Sequence, residues 1–145
     1  APPPATTSSP GLPPSADVLY ANGLRDFNGA KYDLARQEFL DYLRYYADTD
    51  LASNAQFYIG EIYFVQKQYK QAVGEYDKVV TNYPKSFKLA PAHLKKGLAL
   101  LELGQKASAI REFREVSRRF PGTEEEHRAQ AKLKELGVAT NSHPQ

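Results

Sequence analysis

From Tyr69 to Tyr83 the apolar side chains fall at Tyr69, Ala72, Val73, Tyr76, Val79, Val80 and Tyr83, with Lys70, Gln71, Glu75, Asp77 and Lys78 between them. That i, i+3, i+4, i+7 recurrence paints one apolar stripe on an α-helix whose other side faces water. Pro84 comes next. Proline cannot continue the hydrogen-bond ladder and biases the residue before it out of the helical region, so the helix is predicted to stop at Tyr83 and Pro84. Upstream, "AQFYIGEIYFV" (55–65) is apolar nearly all round. At roughly 100° per residue, Ala55, Tyr58, Ile59, Ile62 and Tyr63 cover one broad face while Phe57 and Phe64 lie together on another. The two helices differ: one buries a single stripe, the other has two apolar surfaces.

The pair is repeated with a period of 37 residues, which puts Gly23, Gly60 and Gly97 in register, then Ala35, Ala72 and Ala109, then Phe39, Tyr76 and Phe113. Glu38, Glu75 and Glu112 match as well, as do Tyr46, Tyr83 and Phe120, so "TNYPKS" at 81–86 and "RRFPGT" at 118–123 are two copies of one stop signal. A fixed period of this length is the signature of stacked helical repeats. The repeated glycine sits inside a helix, where it costs about 1 kcal/mol relative to alanine, and this predicts close approach of the partner helix. After the third copy, Thr123 and Glu126 form a capping box, Glu124 and Glu125 suit the positive end of a helix, Ala129, Leu133 and Leu136 give it an apolar edge, and Gly137 ends it. This reads as a capping helix over 123–136, shielding the last stacking face from water.

The register Gly, Ala twelve later, Phe or Tyr four later and Pro eight later resembles the tetratricopeptide repeat. Gly60, Ala72, Tyr76 and Pro84 carry it best; Gly97, Ala109, Phe113 and Pro121 keep it; the first copy keeps Gly23, Ala35 and Phe39 but has Ala47 for the proline. The expected fold is an all-α tetratricopeptide-repeat solenoid of three helix pairs (about 17–50, 51–87 and 88–122) plus the cap. The usual repeat has about 34 residues, and the extra ones fall in "NYPKSFKLAPAHLKKG". That stretch and the following "LALLELG" resemble the C-terminal domain of the Tol-Pal-associated periplasmic YbgF family (cell division coordinator CpoB).

Such arrays line their inner surface with the first helix of each pair. The resemblance therefore implies a partner-binding ladder there: Tyr20 and Phe27, Phe57 and Phe64, Leu94 and Leu101, with Leu24, Glu61 and Leu98 between. Phe57 and Phe64 would be its central anchors. Plain core packing accounts for the same spacing. Tyr20, Phe57 and Leu94 stand where a clamp for a C-terminal carboxylate would want lysine or asparagine.

By the same resemblance the partner is a protein, a Tol-Pal component, and the location is the periplasm, where the family links peptidoglycan synthesis to outer-membrane constriction in cell division. In that family a signal peptide, a short coiled coil and a linker come first. A fragment without the coiled coil is expected to be monomeric, and the longer protein to oligomerise through it. "APPPATTSSPGLPPS" at 1–15 holds 6 of the 10 prolines and no charge and reads as that linker (1–16), with 138–145 as a tail. Two other readings stay open: a structural part of an outer-membrane assembly complex, as in the similar long-period repeats of BamD, and an enzyme with no visible motif.

Composition narrows the chemistry. With 145 residues, 41% hydrophobic, the chain can build one real core. It has no window long and apolar enough to cross a bilayer and no secretory leader, and since it opens on Ala1 any targeting signal would lie upstream. It has no cysteine, so disulfides, thiolate metal sites and cysteine nucleophiles are excluded. The formal charge of +2 does not point to nucleic acid, although residues 1–84 carry 7 basic against 10 acidic side chains and residues 85–145 carry 12 against 7. His93, His127 and His143 share no metal-ligand spacing and read as solvated or capping. Arg111, Arg114, Arg118 and Arg119, with Glu112 and Glu115 interleaved, read as a salt-bridged outer face. No catalytic residue, cofactor, metal or membrane insertion is expected.

Overall fold

The computed structural model describes residues 11–139, which form seven α-helices: α1 (Ala16–Asn28), α2 (Tyr32–Tyr46), α3 (Ala52–Val65), α4 (Tyr69–Asn82), α5 (Leu89–Glu102), α6 (Lys106–Arg119) and α7 (Glu124–Glu135). Each packs on its neighbours along the chain, α7 also reaches back to α5, and no strand occurs among the described residues. The chain is a helical-repeat solenoid. Most of the proline-rich stretch (1–10) and the tail from 140 lie outside the described residues.

Within each pair the same contact recurs. Phe39, Tyr76 and Phe113 are completely buried, and a Cβ built on Gly23, Gly60 or Gly97 would stand 2.6 Å from the ring it faces. Only hydrogen fits there, so glycine is required for the approach of the two helices rather than for its backbone freedom. Ala35, Ala72 and Ala109, one turn before each ring, are completely buried too.

The link inside each pair is three residues long, and its middle residue is left-handed: Ala30 (φ 59°), Lys67 (φ 62°) and Gly104 (φ 76°). The next amide returns to the preceding helix, with Lys31 N donating to Asp26 O (2.7 Å), Gln68 N to Tyr63 O (2.9 Å) and Gln105 N to Leu100 O (2.9 Å). These bonds satisfy carbonyls that a helix end leaves open. Only the third link uses the residue that adopts this conformation freely.

Tyr83 and Phe120 end α4 and α6 just before their prolines. The first pair has no proline and stops by another device: Thr49 Oγ1 donates to the Tyr46 carbonyl (2.9 Å) and lies against the Tyr42 hydroxyl.

Stacking of one pair on the next reads from a second set of equivalent positions. In the second repeat Ala55, Ile59 and Ile62 are buried, and in the third Ala92 and Ala99 are. In the first, the same positions are Val18, Asn22 and Arg25; Val18 and Arg25 are exposed, and Arg25 Nη1 donates to Asn22 Oδ1 (3.1 Å). The stacking face of α1 is thus largely polar, as the first unit of an array requires. At the other end α7 covers the third pair with buried Ala129 and Leu133. Thr123 Oγ1 accepts from Glu126 N (3.1 Å), and Glu126 Oε1 accepts from Gly122 N (2.7 Å), so the capping box closes one residue earlier than its usual form.

The contrast between two glycines is testable. Gly60→Ala should destabilise by about 1–2 kcal/mol, because displacing the buried ring outweighs the gain in helix propensity. Gly74→Ala, at an exposed helical position with nothing within 4 Å, should stabilise by about 0.5–1 kcal/mol. Urea unfolding of both variants checks this; a neutral Gly60→Ala would contradict the packing described.

Candidate functional site

The first helices of the three pairs meet along one side. Asn54 Nδ2 donates to Tyr20 Oη (3.3 Å) and the Phe27 and Tyr58 rings meet edge-on with centroids 5.5 Å apart, joining α1 to α3. Lys95 joins α3 to α5, its ammonium 3.9 Å from the Phe64 ring centroid and 3.6 Å from Glu61 Oε1.

Of the nine ladder residues, seven keep partial exposure: Tyr20, Leu24, Phe27, Glu61, Phe64, Leu98 and Leu101. Two do not, and for these the plain core packing that also accounts for the spacing is what the structure has. Phe57 is only 7% exposed, tilted against the Tyr76 ring with the Lys88 ammonium 5.0 Å from its centroid, because α5 starts directly over it. Leu94 is 1% exposed and belongs to the core shared by Phe113, Ala129 and Leu133, so the cap helix seals it. Glu61 is held from both sides, accepting a hydrogen bond from the Tyr76 hydroxyl of its own repeat and pairing with Lys95 of the next. Lys88 and Lys95, seven residues apart, stand over Phe57 and Phe64, also seven apart, which places two ammonium groups against two ring faces.

The glutamates in register reveal a second constellation. Glu75 accepts from Gln56 Nε2 (2.9 Å), and Glu112 Oε1 lies 2.8 Å from His93 Nδ1; each partner lies 19 residues earlier, on the first helix of the pair. Arg119 approaches His93 Nε2 (3.4 Å), and since a guanidinium only donates, Nε2 accepts and Nδ1 carries the proton toward Glu112. His93 is therefore a buried structural partner, neither solvated nor a cap. Burial alone would raise the Glu112 carboxyl, but His93 and Lys96 together hold it below its ordinary range.

In the first repeat the equivalent partner is Leu19, which offers no hydrogen bond, and Glu38 turns to Asp26 instead. Burial first, then the hydrogen bond to Asp26, push the Glu38 carboxyl up to about 7. Asp26 is held low by the hydrogen bond from Glu38 and then by Arg25. This carboxyl pair escaped sequence reasoning; the mismatch of Leu19 with Gln56 and His93 was its signal.

The expected salt-bridged arginine face forms only in part. Glu112 points inward, Arg118 and Arg119 share Glu115 (2.5 and 3.6 Å), and Arg111 and Arg114 have no carboxylate partner among the described residues. His127 is exposed, His143 lies outside the described residues, and no three His, Cys, Asp or Glu side chains converge among the described residues.

Two models, each described as tetratricopeptide repeat, match residues 20–87 and 92–123, together well over half of the chain. The chain belongs to the tetratricopeptide-repeat family, whose domains are protein-interaction modules. No curated protein matches it significantly by sequence. Similar solved structures include the Arabidopsis OM64 TPR domain (16% identity, TM-score 0.69, 83% of this chain and 95% of that one). The N-terminal domain of stress-induced protein-1 from C. elegans is also similar (16%, 0.68, 82% and 94%). So is the Yersinia enterocolitica type III secretion translocator chaperone SycD (18%, 0.70, 84% and 91%). At these identities the likeness bears on the fold.

The Glu38 shift carries a pH dependence of definite sign. A carboxyl raised in the folded chain contributes its stability fully below its unfolded value of about 4.5 and loses it as the pH rises through about 7. Between pH 5 and pH 8 the chain should lose stability that Glu38→Gln, which keeps an N–H for Asp26, retains. Parallel urea-unfolding profiles for the two proteins across this range would contradict the assignment.

Proposed function

We propose that this chain is a non-enzymatic docking module that holds an extended or helical segment of a protein partner against the face made by α1, α3 and α5. The observation that carries the reading is the row of partly exposed apolar side chains running through all three repeats: Tyr20, Leu24 and Phe27, then Phe64, then Leu98 and Leu101. A partner's apolar side chains at helical or alternate spacing gain by covering such a row. With Phe57 sealed, Phe64 is the central anchor, and the Lys95 ammonium over its ring adds a place for a partner carboxylate.

The partner we assign is a component of the Tol-Pal system, and the place the periplasm, where the module links peptidoglycan synthesis to outer-membrane constriction during division. What supports this is the resemblance of "YPKS" at 83–86 and "APAHLKKGLALLELG" at 90–104 to the YbgF family.

Phe64→Ala should weaken binding to a purified periplasmic Tol-Pal component about tenfold, the loss of a moderate hot spot, with little change in melting temperature. Phe57→Ala should instead lower stability by about 3 kcal/mol, the cost of emptying a buried aromatic site. Calorimetric titration and thermal unfolding of both variants separate the two roles. Unchanged affinity in Phe64→Ala would remove the face, and failure of every Tol-Pal component to bind would remove the partner.

A further inference from the structure

Outside the inner face, a cavity of about 430 Å³ opens between the α2–α3 and α4–α5 links, with Thr49 and Ser53 on one side and Tyr83, Pro84, Ser86 and Phe87 on the other. It lies where the extra residues of the long repeat fall. Phe87, on its rim, is 84% exposed, the most of any large apolar side chain among the described residues. Leaving a phenyl ring in water forgoes much of its transfer free energy, so a ring held beside an open apolar cleft is a surface awaiting cover.

The cleft is suited to an uncharged, apolar chain. Its polar floor is already satisfied: Ser86 Oγ donates to Ser53 Oγ (2.7 Å) and accepts from Lys88 N (2.9 Å). Asp50 and Lys85, also at the cleft, have opposite charges and select neither sign. The remaining wall of Tyr83, Pro84 and Phe87 is of the aromatic kind that receives polyproline helices, which are preformed and lose little entropy on docking.

The path of the chain supplies the occupant. The Tyr46 hydroxyl donates to the Pro14 carbonyl (2.6 Å), and the Tyr46 carbonyl accepts from Thr49, a residue of the cleft wall. Pro14 is therefore held one tyrosine side chain away from a residue that bears on the cleft wall. Residues 1–10 contain four prolines and no charged side chain. At about 3.1 Å per residue in a polyproline helix they reach about 30 Å. We propose that this proline-rich stretch of the chain's own N-terminal region docks in the cleft, covering Phe87. This goes beyond the inner-face reading and is independent of it. Tethering gives the stretch an effective concentration on the order of millimolar, so weak pocket contacts suffice.

Backbone amide spectra of residues 1–145 and of residues 11–145, which retain the whole described core, test it without any partner. Removal of 1–10 should shift the resonances of 49–53 and 83–88 as well as those beside the cut, and a synthetic peptide of residues 1–14 added to the shorter chain should move them back. In Phe87→Ala, whose exposed ring is no part of the core, the long and short chains should superpose throughout the cleft. Shifts confined to residues beside the cut would overturn the proposal. So would cleft resonances that change with protein concentration while the sedimenting mass doubles, since a second copy would then be the occupant.

Discussion

The fold rests on an aromatic ring lying on a glycine, made three times. Phe39 on Gly23, Tyr76 on Gly60 and Phe113 on Gly97 set how near the two helices of each pair stand, since the ring occupies the space that any side chain would need. Interiors packed to crystal-like density cannot absorb a misplaced methyl cheaply. With that distance fixed, the left-handed residue of each link and the alanine one turn before each ring follow as the parts that let the second helix return. Identical pairs then stack in identical ways, and one period governs the whole array.

On this fixed frame, equivalent positions do different work according to what surrounds them. Ile59 and Ile62 are buried between repeats, whereas Asn22 and Arg25, their counterparts at the start, answer each other at the open end. Glu75 and Glu112 reach across to Gln56 and His93; Glu38, whose register partner is Leu19, hydrogen-bonds Asp26 instead. Repetition supplies the scaffold, and departures from it locate where the helical array ends, where a carboxyl is shifted and where surface is left uncovered.

Much of this was legible in the residues because helical periodicity and the lag of 37 both report on local geometry. The Tyr-Pro and Phe-Pro stops, the close-approach glycines and the Thr123 cap all depend on neighbours in sequence. What depended on the next helix was not legible. Phe57 and Phe64 share one face of α3, yet only Phe57 is sealed, because α5 begins above it; Leu94 is sealed by a helix some thirty residues on. Glu112 looked interleaved with arginines along the chain but sits on the inward side of α6. The hydroxyl stop at Thr49 was hidden for a similar reason, since it works through two tyrosines of the preceding helix.

The most direct test of the account is nuclear Overhauser contact between the α protons of Gly23, Gly60 and Gly97 and the ring protons of Phe39, Tyr76 and Phe113. Strong contacts in all three pairs, with the glycine α protons displaced by ring currents, are the expected result. Ordinary helical shifts with no ring contact at those glycines would contradict the packing on which the array depends.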